Sequence, residues 1–212
     1  LPDDAAWRAA DGAAVLAALG PLWAEFVPEG TNEAQVEEGW VRPVLRALGH
    51  VFTVQVSMRT PLGPMTPDYV LYADEPARTA APSTGLAGEA DFRGALAIGD
   101  AKAWAKRLDQ PLTARQQARG IKTSDNPSYQ IDAYVRYSGL PWGILTNGRH
   151  WRLVHRDTSK QLDVYYEVDL PALIEQAQAA VTAASAPRAS REAERAAESA
   201  LEALKYFWLF FR

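Results

Sequence analysis

Apolar residues in the first fifty positions recur at helical spacing, and from residue 51 the spacing shortens to that of strands. Over residues 4–26 an Ala-rich background carries Trp7, Val15, Leu16, Leu19, Leu22, Trp23 and Phe26, which predicts a helix with a break at Gly20-Pro21. Pro28-Glu29-Gly30 ends it, and Thr31 or Asn32 can cap a second helix running to Leu48 and closed by Gly49. Val36, Trp40, Val41, Val44, Leu45 and Leu48 form the apolar stripe of that helix, and Pro43 should bend it. Glu33 and Glu37 stand one turn apart near the edge of the stripe.

Residues 51–60 alternate as a strand does, with a turn at Pro61-Leu62-Gly63-Pro64 and a second strand over 68–73. Residues 74–93 are rich in Glu, Pro, Ala, Thr, Ser and Gly and read as a loop. A third strand spans 95–103, a polar connection follows, and a helix over 127–138 carries proline in its first turn. Strands at 142–146 and 150–155 flank Asn147-Gly148, a hairpin turn signal, and 162–167 can add another. Residues 171–184 and 188–212 read as helices separated by a break at 185–187. The last of these ends in Leu204-Lys205-Tyr206-Phe207-Trp208-Leu209-Phe210-Phe211, too apolar for a free end: it either packs back on the domain or, the reading favoured, marks an oligomer contact or a continuation into a further domain. The order of elements predicts an α/β (α+β) chain with a central mixed sheet flanked by helices and extra helices at both ends.

Composition narrows the chemistry. The 212 residues are 48% hydrophobic and include seven tryptophans, which suits one substantial folded core. With no cysteine, disulfides, thiolate zinc sites and cysteine nucleophiles are excluded together. The three histidines, His50, His150 and His155, form no ligand pattern with acids, so a bound metal should be hard and oxygen-ligated, like Mg²⁺. No run of about twenty apolar residues occurs and no signal-peptide pattern opens the chain, so a cytoplasmic protein without membrane spans is expected. The net charge is −4, yet Lys102, Lys106, Arg107, Arg115, Arg119 and Lys122 face a single acid, Asp109, within one short stretch. Such a local patch suits a phosphate backbone, and equally a solvated basic loop.

Two segments concentrate the candidate chemistry. Thr66-Pro67-Asp68-Tyr69 is followed one strand later by Gly99-Asp100-Ala101-Lys102. Residues i and i+2 of a strand share a side, so Asp100 and Lys102 project together while Ala101 faces away. The approach through Ala95-Leu96-Ala97-Ile98 is apolar on both faces, as in a buried central strand. Two carboxylates and an ammonium in one small buried volume need charge compensation, which a divalent metal and a phosphate would supply.

With these motifs in this order, the chain resembles the PD-(D/E)xK nuclease superfamily. More narrowly it is similar to the N-terminal nuclease domains of type I restriction-enzyme motor subunits and of type IIG restriction enzymes fused to a methyltransferase. The likeness spans about residues 30–156. It is carried by Asn32-Glu33-Ala34-Gln35 with Val41-Arg42-Pro43-Val44-Leu45-Arg46-Ala47-Leu48-Gly49, by the two segments above, by Tyr129-Gln130-Ile131-Asp132-Ala133-Tyr134, and by the hairpin from Gly143 to Leu153. Asp100 stands where many relatives have Glu. No one motif is specific; their succession is.

The resemblance implies a restriction-endonuclease-like core over 30–170, with an N-terminal helical extension (1–29) and a C-terminal helical segment (171–212). It implies Mg²⁺, with Mn²⁺ as a substitute, held by Asp68, Asp100, the Ala101 carbonyl and Glu33. Lys102 would orient or deprotonate the attacking water and contact the scissile phosphate, and Gln130 would point into the cleft. Glu37 shares the face of Glu33 and remains an alternative to it. Tyr134 and Trp104 read as packing residues. Lys106, Arg107, Arg115, Arg119 and Lys122 are candidate contacts to double-stranded DNA. The implied setting is a restriction-modification or phage-defence system, with methyltransferase, helicase or specificity domains or subunits beyond Arg212 and a possible homo-oligomer contact through the C-terminal helix. The alternative is a nuclease-like fold used without catalysis for DNA binding or assembly. Asn126-Pro127-Ser128-Tyr129 resembles the base-flipping loop of amino-methyltransferases, but it lacks the second proline and no Gly-rich cofactor loop accompanies it.

Overall fold

The computed structural model describes residues 5–81, 92–109 and 126–212. The chain enters through α1 (Ala5–Ala9) and α2 (Gly12–Glu25). The break between them falls at Ala10-Asp11 and not at Gly20-Pro21, because Asp11 caps α2 by accepting from the Ala13 amide, while Pro21 is carried within the helix. A proline inside an isolated helix is unfavourable by about 3 kcal/mol. Here α2 is held along its length against two C-terminal helices.

The second helix is divided into α3 (Glu33–Val36), a π-turn (Glu37–Val41) and α4 (Arg42–Ala47). Asn32 is its cap: its side chain accepts from the Gln35 amide, and the Gln35 side chain accepts from the Asn32 amide. Pro43 has no N–H to donate, and the backbone widens into the π-turn just ahead of it.

Residues 51–60 form two strands where one was expected. β1 (Val51–Val54) ends at Gln55, whose φ of 52° turns the chain and whose amide donates to the Asp68 carbonyl. The corner frees β2 (Met58–Thr60) to pair with β3 (Gly63–Met65) in a small separate hairpin. β4 (Tyr69–Tyr72) follows. The segment read as a loop opens with a helix, α5 (Glu75–Ala80), capped by Asp74 and carrying Pro76 in its first turn. The rest of that loop, 82–91, lies outside the described residues. After β5 (Ala95–Ala101), the helix α6 (Pro127–Ser138) and the hairpin of β6 (Trp142–Thr146) and β7 (His150–His155) fall where the sequence places them. β8 (Tyr166–Asp169) begins later than expected, because a 3-10 turn and a positive φ at Leu162 precede it. α7 (Leu170–Ala184) and α8 (Arg191–Phe211) close the chain.

The main sheet runs β1-β4-β5-β6-β7-β8. All its neighbours are antiparallel except β5 and β6, which are parallel and joined by the crossover containing α6. The architecture is mixed α/β, a central mixed sheet between helical layers, as expected. Each face of the sheet has its own core. Tyr69, Leu71, Ala97, Ala101 and Trp151 meet α4, α7 and α8 on one side. Val70, Tyr72, Ile98, Leu145 and Val154 meet Ile131, Tyr134 and Val135 of α6 on the other. Since strand residues alternate, Asp100 shares the face of Ile98 and looks towards α6.

The aromatic C-terminus packs largely back on the chain. Leu204, Phe207 and Phe211 lie in the first core, Tyr206, Trp208 and Leu209 are partly buried, and Phe210 is left 40% exposed. Gly12 lets α2 approach this helix closely, since a Cβ there would come within 2.1 Å of the Leu201 carbonyl oxygen. Among the described residues, no helix is long and apolar enough to cross a membrane.

Candidate metal and phosphodiester site

Strand register brings the two acidic segments together. β4 and β5 pair Tyr69 with Gly99 and Val70 with Ile98, so one further step sets Asp68 across from Asp100. Gly99 eases this crossing: a Cβ there would sit 3.1 Å from that of Tyr69, a tight contact that would push the strands apart slightly. The Asp68 carboxylate accepts from the Ala101 amide at 2.8 Å, which fixes it against the end of β5. Lys102 continues past the strand, its amide donating to the Thr146 carbonyl at 2.8 Å on parallel β6. Its ammonium stands 2.7 Å from Asp100 Oδ2, with the lysine side chain 13% and the aspartate side chain 2% exposed. That oxygen is buried, and the Lys102 ammonium is its ion-pair partner.

The helix acids separate. Glu33 is exposed at the rim, where the charges of Lys102 and Asp68 both act on it. Glu37 turns inward instead. It accepts from the Tyr69 hydroxyl at 2.6 Å, and Arg42 donates to the same oxygen at 3.4 Å. Of the two helix acids, Glu33 is the one that feels Lys102 and Asp68, while Glu37 bonds to Tyr69 on the other side of β4. Gln130 donates to the Tyr134 hydroxyl at 2.9 Å, and that hydroxyl donates to the Thr66 carbonyl at 3.1 Å. Tyr134, read from sequence as packing, is buried in the second core and also feels Asp100, Asp68 and Glu33. Its i, i+4 spacing from Gln130 was the available signal.

Charge and burial set the protonation states. Burial pushes the Asp100 carboxyl up, to about 8, against the lowering effect of Lys102 and with Asp68 adding to the rise. Partial desolvation of its carboxyl at the rim also raises Glu33, opposed by Lys102 and by a bond from the Ala103 backbone and reinforced by Asp68. For Lys102 burial works against the charge, but Asp100, then Asp68 and Glu33, outweigh it and hold the ammonium above its ordinary value. Tyr134 is raised, first by burial and then by Asp100.

The oxygen donors suit a hard divalent cation. Asp100 Oδ2 is a buried acceptor whose near neighbour is the Lys102 ammonium, Asp68 has an oxygen beyond the one held by Ala101, and the Ala101 carbonyl lies between the two charged residues in sequence. Among the described residues, no three His, Cys, Asp or Glu side chains stand close enough to enclose a metal. A metal here would thus rest on two carboxylates, a backbone oxygen and water, with Glu33 further out.

Of the candidate DNA contacts, Lys106 and Arg107 follow the site on the segment after β5. Arg107 is exposed beside Asp109, and the Lys106 carbonyl accepts from the Asn147 side chain at 2.8 Å. Arg115, Arg119 and Lys122 lie outside the described residues. Trp104 packs as expected, stacked on Trp23 with ring centroids 5.9 Å apart.

No family model and no curated protein matches this chain. A cryo-electron microscopy structure of a DrdV–DNA complex is similar over 76% of this chain and 93% of that one, at 14% identity and a TM-score of 0.40. A likeness that distant carries no weight for function.

Proposed function

We propose that this chain is a metal-dependent DNA endonuclease domain, hydrolysing phosphodiester bonds in a restriction or phage-defence setting. The observation that carries the proposal is the register-fixed meeting of Asp68, Asp100 and Lys102, with the Asp100 carboxylate buried against the Lys102 ammonium. A core has no use for such a cluster, since buried charge is costly and an apolar trio would pack as well. A bound Mg²⁺ would supply Lewis-acid stabilisation of the developing phosphorane charge and a more acidic water. Asp68, Asp100 and the Ala101 carbonyl would hold it, and Glu33 would act from the rim through water. Lys102 enters as a cation, because its carboxylate neighbours favour the charged form. It is suited to neutralise the scissile phosphate and orient the attacking water, and not to take a proton from it. Gln130, tied to Tyr134, would approach from α6. The basic residues after Lys102 suit a duplex phosphate backbone.

Cleavage of supercoiled plasmid with Mg²⁺ or Mn²⁺ tests the reading. Asp100→Ala and Lys102→Ala should each lower the rate by about 100-fold or more, as expected for a principal charge-stabilising group. Should the protein joined to its native neighbours bind DNA and metal yet never cleave, the non-catalytic assembly reading takes its place.

A further inference from the structure

We infer that the hydrogen bond from Tyr69 to Glu37 is a clamp that sets the distance between the helix carboxylate Glu33 and the strand carboxylate Asp68. Tyr69 and Glu37 are then positioning residues of the metal site, an inference that rests on the nuclease reading above. The connectivity is short on both sides. Tyr69 directly follows Asp68 and points to the opposite face of the sheet, where it is 1% exposed. Glu37 follows Glu33 by one turn and opens the π-turn. One bond of 2.6 Å between the Tyr69 hydroxyl and Glu37 Oε2 therefore joins the two carboxylate-bearing segments beneath the site.

Packing does not explain this bond. Phenylalanine at 69 and an aliphatic residue at 37 would fill the same core without burying a carboxylate and a guanidinium whose Nε has no partner. What the polar pair adds is direction, since a charge-assisted bond to a buried acceptor fixes the helix against β4 in rotation and depth. Such fixing is needed here. α3 is only one turn long, Glu33 itself is exposed, and the helix geometry changes at Glu37. The clamp adds direction to the placement that Glu33 receives from the Asn32 cap, from Val36 in the core shared with Tyr69 and Leu71, and from a bond to the Ala103 backbone.

Calorimetric titration of the folded protein with Mn²⁺, beside thermal melts, tests the clamp with Tyr69→Phe, Glu37→Ala and Glu37→Gln. Tyr69→Phe and Glu37→Ala should weaken Mn²⁺ binding about tenfold, the size usual for groups supporting metal ligands. Glu37→Gln keeps an oxygen that accepts from Tyr69 and should stay within about threefold of the wild type. In cleavage, Tyr69→Phe should raise the Mn²⁺ concentration needed for half-maximal rate and leave the rate at saturating Mn²⁺ close to normal. A wild-type protein that binds Mn²⁺, with Tyr69→Phe binding equally well or Glu37→Gln falling as far as Glu37→Ala, overturns the clamp alone. A wild-type protein that binds no Mn²⁺ overturns the nuclease reading and the clamp with it.

Discussion

Asp100 is a carboxyl group held in the wrong medium for its charge, and pH exposes this. Its folded value of about 8 lies above the ordinary carboxyl value because burial dominates the opposing Lys102. A raised acid contributes stability that is complete below its unfolded value of about 4 and is lost as pH climbs towards the folded one. Glu33 acts with the same sign from the rim, whereas the raised Lys102 matters only above the ordinary lysine range. Without added metal, the melting temperature should fall between about pH 5 and pH 8, and Asp100→Asn should flatten that fall. Mn²⁺ should recover more stability at the upper end than at the lower, because the ligand must be deprotonated to bind it. Melts followed by circular dichroism across this range check it; an unchanged slope in Asp100→Asn would assign the dependence to another group. The convergence of Asp68, Asp100 and Lys102 was legible because strand period and antiparallel pairing are short-range rules. The choice between Glu33 and Glu37 was not. Both lie on one helical face, and what separates them is a tyrosine reaching across from β4.

At the scale of elements, the hairpin after β6 shows the same division. Asn147-Gly148 announces its turn, since glycine supplies the positive φ, here 86°, that the turn requires. What the dipeptide does not announce is that the Gly148 carbonyl accepts from two indoles, Trp40 at 2.7 Å and Trp151 at 3.0 Å. Those bonds draw the π-turn onto the hairpin so tightly that a Cβ on Gly148 would meet Val36 at 2.9 Å and Trp104 and Trp40 at 3.1 Å each. Gly148→Ala should therefore destabilise by about 2–4 kcal/mol, combining backbone strain with overpacking, and chemical denaturation should show it. A change under about 1 kcal/mol would mean that the turn and the three side chains relax at little cost. The corner at Gln55 and the helix α5 stayed illegible for related reasons. Gln55 takes its positive φ where its amide bonds to Asp68, a tertiary partner, and α5 is one short capped helix in a segment whose composition resembles a loop.

Across the whole molecule, the two ends of the chain complete the core that supports the site. α8 packs on α2 and α7, and its Phe207 meets Trp151 edge-on with centroids 5.9 Å apart. Trp151 bonds to the Gly148 carbonyl and pairs across the hairpin with Thr146, whose own carbonyl holds the Lys102 amide. At the far end, His50 Nε2 lies 2.5 Å from the Phe211 carbonyl oxygen, tying the end of α8 to the start of β1. The amphipathic pattern of α8 was plain in the sequence, but its partner was not, because an apolar stripe says that something covers it and never what. The structure makes the consequence measurable. Phe207→Ala should cost about 3–5 kcal/mol, the range for emptying a fully buried aromatic site, whereas Phe210→Ala, 40% exposed and in ring contact with Tyr166 at 4.8 Å, should cost only about 1 kcal/mol. Metal affinity should fall in Phe207→Ala only as the folded fraction falls, because Phe207 reaches Lys102 through the fully buried Trp151 ring and then the backbone of β7 and β6. If Phe207→Ala melts like the wild type, α8 is an appendage that the sheet does not need, and the aromatic stripe again calls for a partner outside the chain.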